Sequence, residues 1–111
     1  MMMEGQAKRL EAMARESGLQ TMILQWVEHN WMVVRLWPLP GGREHGMPGA
    51  SDMFGIAHGG RFVSVAIKRY GENLTPEQVI YRASVMDMGA IHIVVSKFSD
   101  FEDGLRKAGV L

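Results

Sequence analysis

Two residues in this chain have the types and spacing to do chemistry together: Asp52 and Lys68. Residues 62–70 read FVSVAIKRY. Phe62, Val63, Val65 and Ile67 argue for a β-strand. Side chains alternate across a strand, so Val63, Val65 and Ile67 share one face, and Phe62, Ser64, Ala66 and Lys68 share the other. Residues 52–57, DMFGIA, form a second apolar run, and the HGG that follows (His58 to Gly60) is a tight turn. The two runs therefore pair as a hairpin. That pairing brings Asp52, at the start of one strand, beside Lys68, at the end of the other. The chemistry such a pair offers is electrostatic, with a carboxylate and an ammonium at one end of a hairpin. The same residues also have plainer uses: Asp52 as an Asx turn and Lys68 as a strand-end anchor in solvent. A single pattern of this kind also arises often by chance.

The elements that must position the pair can be read outward from it. Residues 4 to about 29 carry helical periodicity, clearest from Glu16 onward, where Leu19, Met22, Ile23, Trp26 and Val27 recur on one stripe. Gly18 marks a possible break between two helical pieces. WMVVRLW (Trp31 to Trp37) reads as a strand with Val33, Val34 and Leu36 at its heart. The stretch 38–51, PLPGGREHGMPGAS, holds three of the four prolines and four glycines, so it is a loop, and a long one for a small domain. After the hairpin, Thr75 suits an N-cap, Pro76 the first helical position and Gln78 the third residue of a capping box. Gly89 stops that helix. AIHIVVS (Ala90 to Ser96) is a β-branched strand, and FSDFEDGLRKAG opens a short final helix. The order α, β, β, β, α, β, α makes the last two strands parallel across a helix. The expected fold class is α/β, a mixed sheet flanked by helices.

Bulk properties set limits on this reading. The 111 residues suit one domain spanning 1–111, and 47 % hydrophobic residues are enough for a core. Basic and acidic residues balance at 12 each, so no global positive field advertises nucleic-acid binding, while a local basic face stays open. With no cysteine, disulfides and thiolate metal sites are excluded and a cytoplasmic location is the default. No run of about 18 apolar residues occurs to span a membrane. The opening MMMEGQAKRLEAM is too charged for a secretory signal. The ten methionines read most simply as adaptable core filler. His58 and His92 lack metal-ligand spacing, and His92 reads as a satisfied sheet residue.

From Glu16 to the C-terminus the chain resembles the VRR-NUC family, a branch of the PD-(D/E)xK nucleases. Four spaced elements carry the likeness in order: Gly49 and Asp52 in GASD, Lys68 in AIK, Gln78 in LTPEQ, and the Gly-led strand GAIHIVVS. The resemblance implies an αβββαβ nuclease core with a final short helix, of the small standalone type found in phage and bacteria. It implies a metal-dependent, structure-specific DNA endonuclease acting on flaps or Holliday junctions. Mg²⁺ or Mn²⁺ would be held by Asp52, the carbonyl of Ile67 and Glu16 from the first helix, since such hard cations take oxygen ligands. As an alternative use, Glu16 is an acid well placed in a helical first turn. Lys68 would orient the attacking water and stabilise charge on phosphate. Gln78 would hold a neighbour in place, a role compatible with a capping box.

One departure bears on the chemistry. The family's glutamate, two residues before the lysine, is Ala66 in this chain. The resemblance therefore implies an endonuclease that is catalytically impaired. Arg35, Arg43, His45 and Arg69, with Arg61 and Lys97, are candidates for DNA phosphate contacts, and scattered surface charge is the plainer reading of each. The tryptophans of WMVVRLW could stack on bases or fill the core. Cutting a branched DNA at two strands would need two sites, hence a homodimer. Two other classes remain open: a non-catalytic DNA-binding module and a protein-interaction subunit, both of nuclease descent.

Overall fold

The computed structural model describes residues 18–39 and 51–111. Its elements are a helix through residues 18–29 (α1), β1 (Val34–Pro38), β2 (Met53–Ala57), β3 (Arg61–Ile67), α2 (Pro76–Asp87), β4 (Ile91–Val95) and α3 (Phe98–Lys107). Four strands form one mixed sheet in the order β1-β2-β3-β4. β1 and β3 each run antiparallel to β2, and β4 runs parallel to β3. Parallel neighbours cannot be joined by a tight turn, and α2 supplies the crossover. The mixed α/β architecture read from the sequence is the one observed.

Local chemistry explains where the elements begin and end. The β2–β3 turn needs two consecutive residues at positive φ, and Gly59 and Gly60 adopt +93° and +85° without strain from a Cβ. α2 opens on the expected capping box: Thr75 Oγ1 accepts from the Gln78 amide at 3.2 Å, and Gln78 Oε1 accepts from the Thr75 amide at 2.9 Å. Trp31 to Val33, expected as the start of a strand, instead lie in a turn. Asn30 closes α1 by donating its side-chain amide to the Trp26 carbonyl at 2.7 Å, and the Val33 amide returns to the Asn30 carbonyl at 2.9 Å. Capping this helix takes up those residues, so β1 starts at Val34. The break expected at Gly18 falls at the edge of the described residues, which are helical from there on.

The core lies on one face of the sheet. Met53, Val63, Val65 and Val95 have no exposed surface, and they meet Ile23 of α1 and Phe101 and Leu105 of α3, equally enclosed. Trp26 of α1 meets Phe101 of α3 edge-to-face, with centroids 5.5 Å apart. Burying a side chain such as Phe101 stabilises the fold by roughly 2–3 kcal/mol.

The second face is covered less completely. α2 buries none of its own residues, and Val79 and Ile80 stay exposed. Its Tyr81 ring reaches His92 of β4 at 5.9 Å. By strand alternation and register this face carries Arg35 and Trp37, Phe54 and Ile56, then Phe62, Ser64 and Ala66, then His92 and Val94. Trp37, Ile56 and Phe62 are all more than two-fifths exposed.

Candidate functional site

The hairpin places Asp52 against the end of β3. The Asp52 amide donates to the Val65 carbonyl at 3.0 Å, and the Leu39 amide donates to the Asp52 carbonyl at 2.8 Å. Regular β2–β3 pairing begins only at Met53, opposite Val65. Past that point the Asp52 side chain takes over from the backbone, and its Oδ2 accepts the Ile67 amide at 2.7 Å. The aspartate thus closes the ladder where a strand carbonyl would otherwise serve. Among the described residues Oδ1 has no hydrogen-bond partner. A charge-assisted bond of this length holds the carboxylate in place.

Lys68 follows directly. Its amide donates to the Val95 carbonyl at 2.8 Å, which extends the parallel β3–β4 ladder one residue beyond Ile67. The side chain is buried, the one charged residue among those described for which this is so. Its ammonium lies 3.6 Å from Glu72 Oε1. Residue 68 is therefore not the solvent anchor that a lysine at a strand end suggests. Strand alternation puts it on the face of Ala66 and Ser64.

Ala66 is itself buried, in register with Val94 of β4. It adds a methyl group to the second face where a glutamate would add an acid. Ser51, next to Asp52, is also buried, and among the described residues its hydroxyl has no hydrogen-bond partner. Such a group costs about 1–3 kcal/mol unless a partner is supplied. Gln78 is spent on the α2 cap, where its side-chain oxygen takes the Thr75 amide.

The remaining candidates are spread out. Glu16, Arg43 and His45 lie outside the described residues, as does Gly49. Arg35 is exposed, with its guanidinium carbon 4.5 Å above the Trp31 ring and Nε 3.4 Å from the Trp31 carbonyl. Arg61 is turned to the end of α3, where it donates to the Ala108 carbonyl at 2.8 Å. Arg69 is exposed on the turn after Lys68, and its amide donates to Glu72 Oε2 at 3.3 Å. At Lys97 the backbone amide is held by Asp100 Oδ2 at 3.2 Å, opening α3.

Two residues gain importance from the structure. Glu72 stands four positions after Lys68, and the turn between them folds its carboxylate back onto the ammonium. That relation is legible only once the turn geometry is known. His92 pairs with Ser64 through Nδ1 and Oγ at 2.6 Å, in keeping with a satisfied sheet residue. Burial, with the nearby Arg82 charge adding to it, pushes its pKa down from 6.5 to about 4.

For a cation, the described residues offer a thin set. Asp52 and the Ile67 carbonyl are the candidate donors, and among the described residues no cluster of three or more His, Cys, Asp or Glu forms. Octahedral Mg²⁺ is usually held through one or two carboxylates together with waters and substrate oxygens, so one aspartate is a sparse site. The described residues do not fit a well-held cation. No helix among the described residues is long and apolar enough to cross a membrane. Compared with models of known families, with curated proteins and with solved structures, the chain matches none.

Proposed function

We propose that the chain is a VRR-NUC-like, structure-specific DNA endonuclease domain in which Ala66 leaves catalysis impaired while DNA binding is kept. The observation that carries this reading is the junction of Asp52 and Lys68. The aspartate's carboxylate is bonded to the amide of Ile67, and the next residue is a buried lysine. A lysine whose side chain is enclosed at a strand end, with one acid facing its ammonium, is a functional candidate. On this reading Lys68 meets a phosphate oxygen as a compact cation. The exposed Trp37 and Phe62, on the face shared with Lys68, offer rings to unpaired bases. One site per chain makes a two-fold homodimer part of the proposal, with exposed Val79 and Ile80 of α2 as apolar surface for it.

The second reading is a DNA-binding module without catalysis. The buried methyl of Ala66 and, among the described residues, the single aspartate at the site favour it.

One experiment separates the two. Ala66→Glu is assayed with Mg²⁺ or Mn²⁺ on flap and four-way junction DNA, beside the chain as written. Circular dichroism verifies that the variant is folded, since residue 66 is buried. The endonuclease reading expects metal-dependent cleavage by the glutamate variant, abolished by a further Lys68→Ala. A folded glutamate variant that is inert on every branched substrate leaves the binding module. Failure of the unaltered chain to bind branched DNA in low salt removes both.

A further inference from the structure

We propose that Glu72 is the positioning residue for Lys68: its carboxylate, rather than one from residue 66, holds the ammonium at the end of β3. The significance of this for phosphate rests on the reading above, whereas the pairing itself does not.

An ammonium at the end of an enclosed side chain is stabilised by a counter-charge. Lys68 is 8 % exposed, and Glu72 is its only ion-pair partner among the described residues. Residue 66, two positions earlier on the same strand face, is an alanine and supplies no carboxylate. The chain instead turns back after β3. The Glu72 amide donates to the Arg69 carbonyl at 3.0 Å, and Gly71 takes φ +81° within that turn. A non-glycine residue would be strained there. The product of the turn is a carboxylate with two tasks. Oε2 accepts the Arg69 amide at 3.3 Å, which locks the turn, and Oε1 faces the Lys68 ammonium at 3.6 Å.

The distance bears on what the ammonium can do. At 3.6 Å the contact is an ion pair, longer than a hydrogen bond. An ammonium has three donors, and an ion pair of this length leaves them available to an oxyanion. Glu72 itself is half-exposed, so it orients the lysine from the solvent side. The arrangement suits a lysine fixed by one acid and open to a phosphodiester oxygen.

The test observes the lysine directly. In the full chain labelled with ¹⁵N-lysine, the Lys68 ammonium is followed by NMR and assigned with Lys68→Met. Glu72→Gln keeps an oxygen for the Arg69 amide and removes the charge. The expected result is a distinct Lys68 side-chain signal, set apart from those of solvated lysines, in the unaltered chain and its loss in Glu72→Gln, with recovery in Glu72→Asp. If Glu72 served only to lock the turn, Glu72→Gln would leave the Lys68 signal as it was, and the proposal would be overturned. A four-way junction is then added to the unaltered chain. A shift of the Lys68 signal supports a phosphate contact. Absence of a shift, with the Glu72→Gln loss still present, upholds the pairing and overturns the nuclease-type reading.

Discussion

His92 makes the stability of this fold sensitive to mild acid. The imidazole sits on β4 between Ser64 and the Tyr81 ring, 2.6 Å from the hydroxyl and 5.9 Å from the ring centre. Its pKa falls from 6.5 to about 4, first because burial disfavours the charged ring and second because Arg82 repels it. The folded chain therefore binds this proton less readily than the unfolded chain does. Above pH 6.5 neither state holds the proton and the folded state keeps its full advantage. As pH falls from 6.5 towards 4 the unfolded state gains protons that the folded state refuses, and stability is lost. A drop from 6.5 to about 4 corresponds to an upper limit of roughly 3 kcal/mol. The ring is only partly buried, so solvent screening reduces the expected loss to about 1–2 kcal/mol. Carboxylates also titrate near the lower end, so the measurement is a difference. Urea unfolding of the unaltered chain and of His92→Gln is followed between pH 7.5 and 4.5. The unaltered chain should lose about 1–2 kcal/mol more than the variant over that range. Parallel stability curves for the two proteins would refute the assignment.

Gly55 and Asp52 give two further expectations. A Cβ on Gly55 would overlap the Arg35 carbonyl oxygen and lie 2.8 Å from the Arg35 carbonyl carbon and 2.9 Å from Leu36 Cα. Those atoms are backbone of the paired strand β1, so Gly55→Ala should cost about 3 kcal/mol or more, read as a lower midpoint in urea. A variant as stable as the parent would mean that β1 and β2 are not so close. Asp52→Ala should cost about 1–2 kcal/mol by leaving the Ile67 amide without its acceptor, while Asp52→Asn should recover most of that stability. Only the asparagine variant then separates folding from chemistry. In the Ala66→Glu background it should abolish metal-dependent cleavage in a stable protein, and continued cleavage would remove Asp52 from the site.

The sequence by itself determined the order of elements and the faces of the hairpin. Alternation in FVSVAIK assigns Val63 and Val65 to one side of the sheet and Ser64, Ala66 and Lys68 to the other, because a strand has a period of two wherever it sits. The Thr75–Gln78 capping box and the glycine turn at 59–60 are equally local, and both formed as their residue types require. The Asp52–Ile67 contact was within reach for the same reason, since a hairpin fixes which ends meet. What only tertiary structure decided concerns burial and chain reversal. That Lys68 is enclosed rather than solvated depends on its amide extending the ladder with Val95, twenty-seven positions away by residue number. That Glu72 is its partner depends on a turn through Gly71, and no strand or helix periodicity carries that information. Trp31 went to a turn because the cap that Asn30 places on α1 competes for the same residues. Apolar runs cannot report such competition, because it is settled by hydrogen bonds between elements and not by side-chain type.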